Sequence, residues 1–333
     1  MTLGEIFASI AEDLQRVESK LKNYLNSDNK FVRQLNVYVT NTSGKMLRPA
    51  LVLFSAKKGT ANIEKTISVA AAVEIIHTVT LIHDDVVDNS DMRRGQPTVN
   101  SKWNNAISVV LGDCWCAKAI MVLLKSAIPG ILESLLETVD IICAGELEHL
   151  NRCYDLSLTE SKYLEIAEKK TASLMSFCCK AGALTAKASA GNSQALADYG
   201  LNLGIAFQIV DDCLDMAGTK QKTGKPSGSD LFEGKVTLPL IYTVNTVGKT
   251  DRRWMKKVFE KRQIDQNDSD RIRNIAKQCG AIKLCLEKAA KYRDISKEAL
   301  SLVKDCETRD ALSRLADHVV EKGFGLCLSS SKT

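Results

Sequence analysis

Val79 to Asn100 reads VTLIHDDVVDNSDMRRGQPTVN. Three aspartates stand in a DDxxD pattern, Asp84, Asp85 and Asp88, and two arginines, Arg93 and Arg94, follow in a Gly- and Pro-bearing turn. Upstream, Ala70 to Val87 is apolar except at Glu74, His77, His83, the aspartates and two threonines. That length and composition predict a mostly buried helix, running from about Asn62 to Asp88. On a helix Asp84 and Asp88 are i,i+4 and face the same way. Two like charges so placed repel by roughly 0.2–0.5 kcal/mol on a surface, and desolvation by the apolar flanks costs more. A divalent cation removes the conflict. Mg²⁺ takes one or two carboxylates and fills its other positions with water and phosphate oxygens. The adjacent arginines are suited to bidentate phosphate binding. Taken alone, the pattern is more simply a helix end with a solvated acidic tip.

It is not alone. Phe207 to Gly218, FQIVDDCLDMAG, repeats it with Asp211, Asp212 and Asp215. This motif also ends an apolar helical run, Tyr199 to Ala217, and a loop with Gly, Pro and Lys follows, TKQKTGKPSGSDLFEGK. Two acidic helix ends, each followed by a basic loop, make coincidence a poor explanation. Facing one another, they can clamp Mg²⁺ ions around a diphosphate.

From about Ser43 to Pro239 the chain resembles the trans-isoprenyl diphosphate synthases, or polyprenyl synthetases. The motifs that carry the resemblance are GKMLRP (Gly44–Pro49), EIIHTVTLIHDDVVD (Glu74–Asp88), RRGQPT (Arg93–Thr98), GELEH (Gly145–His149), KKTASL (Lys169–Leu174), FQIVDDCLD (Phe207–Asp215) and TGKPSGSDLFEGKVTLPL (Thr223–Leu240). The resemblance implies an all-α fold, a single large helical bundle around a central cavity, with residues 1–333 as one domain. It implies a Mg²⁺-dependent condensation of isopentenyl diphosphate with an allylic diphosphate, in which the allylic diphosphate ionises, the double bond attacks and a proton leaves. Asp84, Asp88, Asp211 and Asp215 are the implied metal ligands, with Asp85 and Asp212 beside them in the metal set. Lys170, Lys225 and Arg93 match contacts to the allylic diphosphate, and Lys235 adds charge nearby. Lys45, Arg48, His77 and Arg94 match the isopentenyl diphosphate ligands. Thr171 and Gln208 match oxygens presented to the carbocation. Val79 and Thr80, one turn before Asp84, match the positions where short-chain synthases carry a blocking aromatic ring. Both are small here, so a product longer than geranylgeranyl is expected.

Three departures stand out. Ser43 and Met46 replace a glycine and an arginine common in the family, His149 replaces a usual Gln, and Cys213 sits at a non-ligand position of the second DDxxD. Two other readings compete. A non-catalytic partner subunit of a heteromeric synthase would tend to lose one DDxxD, and both are intact. A class I terpene cyclase would not need the Lys45/Arg48/His77/Arg94 set.

The bulk properties agree. Net charge is +5 with basic residues dispersed, which disfavours nucleic-acid binding. Met1 to Leu25 is amphipathic with charges throughout, unlike a signal peptide, and no uncharged apolar run reaches transmembrane length. Peripheral membrane association for product release stays open. Eleven cysteines without a CxxC suit free, mostly buried thiols in a reducing cytoplasm. The long apolar segments Asn105–Lys125 and Ile131–Cys153 exceed what one central helix covers, and the family is commonly a homodimer there. In chain order, further helices are expected over Phe31–Thr40, from Pro49 to near Gly59, and from a Ser157/Glu160 capping box to Ala190. Gly191-Asn192 should break the chain before a helix over Gln194–Ala217. Thr237 should cap the next helix. Trp254–Lys261, Ser269–Gln278, Ala281–Val303 and Thr308–Lys322 read as amphipathic helices. Asn89–Asn100 reads as loop, no strand is expected, and the terminal SSSKT should fray.

Overall fold

The Asn62 side chain accepts from the amides of Glu64 and Lys65, and so starts the helix Ile63–Val87, with Asp88 as its C-cap. The expected acidic helix thus has the expected bounds. The structure is a computed structural model and describes residues 1–41, 44–56, 62–218, 228–303 and 305–328. In chain order its helices are α1 (Leu3–Phe7), α2 (Ala11–Tyr24), α3 (Lys30–Thr40), α4 (Leu47–Ala56), α5 (Ile63–Val87), α6 (Val99–Lys102), α7 (Asn105–Ser126), α8 (Ile131–Asn151), α9 (Glu160–Ala167), α10 (Ser173–Thr185), α11 (Ala190–Ala217), α12 (Ser229–Phe232), α13 (Leu238–Thr246), α14 (Lys249–Glu260), α15 (Gln266–Gln278), α16 (Ala281–Ala299) and α17 (Cys306–Leu328). The fold is all-α, as expected.

The chain divides into two compact units. The first comprises Met1–Glu137, Met175–Gly200 and Leu300–Leu312. Its axis is α5, against which α2, α4 and α7 pack. Val69 to Val73 is fully buried, because an all-round apolar helix needs cover on every side. Gly112 lets α7 close on α5, since a Cβ there would lie 2.2 Å from His83 Nε2. The outer side of α7 stays apolar and exposed at Val109, Val110, Met121 and Leu124. By length and composition α5 and α7 could each cross a membrane, but two thirds of the apolar window of α5 is buried inside the protein. The second unit comprises Thr138–Leu174, Leu201–Ala299 and Ser313–Thr333. Its core gathers Ile209, Met216, Leu240, Met255, Phe259, Ile272 and Leu286.

Several local expectations are corrected. Asn89–Asn100 is not all loop: among the described residues, β1 (Met92–Arg93) and β2 (Gln96–Pro97) form an antiparallel pair, Met92 opposite Pro97 and Arg93 opposite Gln96. The two turn residues, Arg94 and Gly95, have φ of 51° and 78°, the left-handed pair that a two-residue hairpin of type I′ needs. Helix α9 starts from Thr159, which accepts from the Lys162 amide, not from Ser157, whose hydroxyl instead turns back on Asp155. Gly191 and Asn192 lie inside α11 and the break falls before Ala190. Thr237 is the N-cap of α13, but its hydroxyl makes no capping bond. The N-terminal helix is split into α1 and α2 by a 3₁₀ turn, Ala8–Ile10. The thiols are not mostly buried: Cys178, Cys179, Cys213, Cys285 and Cys327 are buried, while Cys114, Cys143 and Cys306 are exposed. Ser43, Gly59, Lys225 and the SSSKT terminus lie outside the described residues.

Candidate active site

In the first unit, Asp84, Asp85 and Asp88 occupy the last turn of α5 and its C-cap. A helix C-terminus carries a partial negative charge and favours cations, so three carboxylates there oppose the dipole. Asp85 is 6% exposed and accepts from Arg93 Nε at 2.7 Å. Asp84 and Asp88 are half-buried one turn apart.

A cationic cluster lies beside them. Arg48 Nη1 is 2.9 Å from His77 Nε2. An arginine can only donate, so Nε2 accepts and the neutral ring carries its proton on Nδ1. That nitrogen is buried with no partner. Burial first, then the charges of Arg48, Arg94 and Arg93, hold His77 well below its usual range. Gly44 is in contact with the Arg94 guanidinium, since a Cβ there would lie 2.7 Å from Nη2. Lys45 is exposed on the same segment, and Met46 turns the chain with φ of 52°. A cavity of about 100 Å³ among Glu74, His77, Asp85, Arg93 and Arg94 has room for a few waters or a small anion. Glu74 was not singled out by sequence reasoning. It is buried, its carboxyl is raised by burial and held down by Arg48 and Arg94, and only its place in the EIIH motif could have pointed to it. Val79 and the residues that share its face, Ile76 and Val73, are all buried. Thr80 donates to the His77 carbonyl at 2.8 Å.

In the second unit, Asp211, Asp212 and Asp215 stand at the C-terminal end of α11, again against the dipole. Asp212 is 3% exposed. It accepts from Tyr163 at 2.5 Å and from the Gln208 amide at 2.7 Å, and Gln208 Oε1 accepts from Thr171 at 2.6 Å. Burial raises its carboxyl to about 7, against the pull of those two hydrogen bonds. Asp215 accepts from the Ser229 amide and hydroxyl at 3.1 and 2.8 Å and from the Asp230 amide at 3.2 Å. Asp211 is exposed. Arg273 on α15 donates to the carbonyls of Met216 and Gly218 at 3.0 and 2.6 Å, which neutralises the helix end, and no sequence motif announced it. Lys169, Lys170 and Thr171 lie on a π-helical turn, Glu168–Ala172, a form that is rare and frequent at functional sites. Lys170 pairs with Glu146 at 2.5 Å, and the buried Lys235 with Glu233 at 2.5 Å.

Both aspartate sets fit a hard divalent cation. Each puts carboxylates at the negative end of a helix, where a cation is favoured, and Asp85 in the first set and Asp212 and Asp215 in the second also accept from protein donors. Among the described residues no group of three or more His, Cys, Asp or Glu forms a cage by itself.

The polyprenyl synthetase family profile matches residues 29–276. The octaprenyl diphosphate synthase of Escherichia coli (strain K12) is 32% identical over 322 residues, covering 97% of this chain and 99% of that one. A polyprenyl synthase from Caulobacter crescentus CB15, solved with calcium and isoprenyl diphosphate, superposes with a TM-score of 0.92 at 36% identity, over 96% of this chain and 97% of that one. A decaprenyl diphosphate synthase from Rhodobacter capsulatus gives 0.90 at 34% identity, over 96% and 99%.

Proposed function

The chain belongs to the polyprenyl synthetase family, and from that premise we propose that it is a Mg²⁺-dependent synthase of all-trans polyprenyl diphosphates longer than geranylgeranyl. It adds isopentenyl diphosphate to an allylic diphosphate, and residues 1–333 act as one synthase domain. The observation that carries this reading is the pair of DDxxD sets, each at the C-terminal end of a long helix, with Arg93 on Asp85 and Arg273 on the carbonyls that end α11.

Asp84 and Asp88 in the first unit, and Asp211 and Asp215 in the second, are the carboxylates that would hold a divalent cation. When bound, it supplies Lewis-acid charge to the departing diphosphate, worth several kcal/mol. Asp85 and Asp212 orient their neighbours through Arg93 and Gln208. Lys170 and Lys235 meet the allylic diphosphate by exchanging Glu146 and Glu233 for phosphate oxygens, and Lys225 joins them. Arg48, His77, Arg94 and Lys45 hold isopentenyl diphosphate, with Glu74 fixing the two arginines. His77 stays neutral, so its Nδ1 proton is a hydrogen-bond donor without an added charge. Thr171 and Gln208 present oxygens to the developing cation, a form of electrostatic stabilisation. The growing tail runs along the Val79, Ile76 and Val73 face of α5, and none of these three side chains is aromatic. The exposed apolar face of α7 pairs with a second copy in a two-fold dimer. We place the enzyme in the cytoplasm, with transient membrane contact as the long product leaves.

Asp84→Ala and Asp211→Ala test the reading. Each should nearly abolish turnover with the helical circular dichroism unchanged. Turnover within a few-fold of wild type in a folded variant contradicts it.

A further inference from the structure

His149 is the departure in GELEH that the proposed reaction leaves unused. It lies on α8 one turn beyond Gly145 and so on the same face. At Gly145 that face meets the π-helical turn, since a Cβ there would lie 2.6 Å from Lys169 Cβ and 3.0 Å from Lys170 N. Glu146, on the adjoining edge, pairs with Lys170 at 2.5 Å. Just past the end of α8, the Tyr154 amide donates to the Gly234 carbonyl at 2.7 Å, next to Lys235. His149 therefore sits between the segments that carry two lysines, and its Nδ1 is buried with no hydrogen-bond partner.

The surrounding charges are Lys170 from the π-helical turn, Lys235 with its partner Glu233 from the loop before α13, and Glu146 on α8 itself. Glu148 is occupied by Lys162 and Lys169. Burial first, then Lys170 and Lys235, hold the imidazole down to about 3, so the free protein carries it neutral. A diphosphate set against the two lysines pairs with their charge and so weakens that field, and it offers an oxygen to a protonated ring.

We propose that His149 is a third basic contact of the diphosphate held by Lys170 and Lys235, and that it takes up one proton from solvent when that diphosphate binds. This rests on the assignment of those lysines to the allylic diphosphate. It makes His149 a binding residue that strengthens as pH falls, in a position where Gln could donate a hydrogen bond but never a charge.

The probe is a farnesyl diphosphate analogue with sulfur at the scissile position, which binds without ionising. Its binding with Mg²⁺ is measured calorimetrically at pH 7 in buffers of different ionisation enthalpy, for wild type, His149→Gln and Lys170→Ala. The ligand's own protons are common to wild type and His149→Gln, so their difference reports the ring. The proposal expects wild type to take up about one proton more per site, and to bind roughly 10–100-fold tighter, the range of a hydrogen bond between charged groups. Equal proton uptake in the two, with Lys170→Ala at least about tenfold weaker, overturns the role of His149 alone. Unweakened binding by Lys170→Ala overturns the lysine assignment and this proposal with it. Imidazole NMR of the wild type gives a second readout that needs no variant. The His149 ring should titrate near its low free value without ligand and above neutrality in the complex, and an unshifted ring overturns the proposal.

Discussion

Tyr163→Phe removes one oxygen atom and little volume, and it probes the most buried polar link of the candidate site. Tyr163 is 5% exposed and Asp212 3%, and the hydroxyl donates to Asp212 Oδ2 at 2.5 Å. Burial, then Asp212, push the phenol well above its usual range, so it remains a donor at any working pH. Without it, the buried carboxyl keeps, among the described residues, the Gln208 amide at 2.7 Å. Burial raises Asp212 to about 7, so the effect is read above that pH, where the group is ionised and a hydrogen bond to it contributes about 1.5–3 kcal/mol. The unfolding entropy of a 333-residue chain is about 0.7 kcal/mol/K, so the transition should fall by roughly 2–4 °C. Gln208 bridges Asp212 to Thr171, so the loss should also reach the reaction. If all of it entered the barrier, turnover would drop by roughly 10–150-fold. Tyr242→Phe is the control. Its hydroxyl donates to Glu160 at 3.0 Å, and Glu160 is 35% exposed and also held by Lys288, so the change should cost under about 1 kcal/mol. Thermal unfolding followed by circular dichroism, with turnover measured in parallel, decides. A Tyr163→Phe protein that melts with wild type and turns over at the wild-type rate refutes the assigned role of the Thr171–Gln208–Asp212–Tyr163 chain.

Arg48→Ala should raise KM for isopentenyl diphosphate more than for the allylic primer, by ~10–100-fold for a lost charged contact, and Lys170→Ala should do the reverse; equal effects on both substrates would mean the two clusters are misassigned. Gly145→Ala places a Cβ 2.6 Å from Lys169 Cβ and 3.0 Å from Lys170 N, so the π-helical turn must shift. Its kcat should fall while circular dichroism holds, and an unaltered kcat would show the close approach to be immaterial. Val79→Phe should shorten the product by one or more isoprene units in an active enzyme. If the side chain only packs the core, the change overpacks it at about 1–3 kcal/mol with the chain-length profile unmoved.

What could be read from the sequence was what local pattern controls. Asn62 and Asp88 delimit α5 as expected because capping and apolar periodicity act within a few residues. Both DDxxD sets fall at helix ends for the same reason. The hairpin escaped because Arg94 adopts φ of 51°, a left-handed conformation uncommon for arginine, and Arg-Gly is not a usual type I′ pair. Thr159 in place of Ser157 is a choice between two competent caps, settled by Asp155 engaging Ser157. Gly191 looked like a break but is tolerated within a helix at about 1 kcal/mol. The partners that matter most, Tyr163 on Asp212 and Arg273 on the end of α11, lie 49 and 57 residues away in sequence. No local pattern encodes such pairs, and the resemblance supplied the site residues without their supports. Glu74 was visible only as a charge inside an apolar run, and the pull of the Arg48 and Arg94 charges on its buried carboxyl is what makes it part of the site.

The most direct test incubates the purified protein with Mg²⁺, labelled isopentenyl diphosphate and, separately, geranyl, farnesyl and geranylgeranyl diphosphates, and resolves the dephosphorylated products by chain length. The predicted result is label in linear all-trans chains longer than geranylgeranyl, lost on chelation and restored by Mg²⁺. Absence of incorporation with every primer, a cyclised hydrocarbon, or chains that stop at geranylgeranyl would contradict the account.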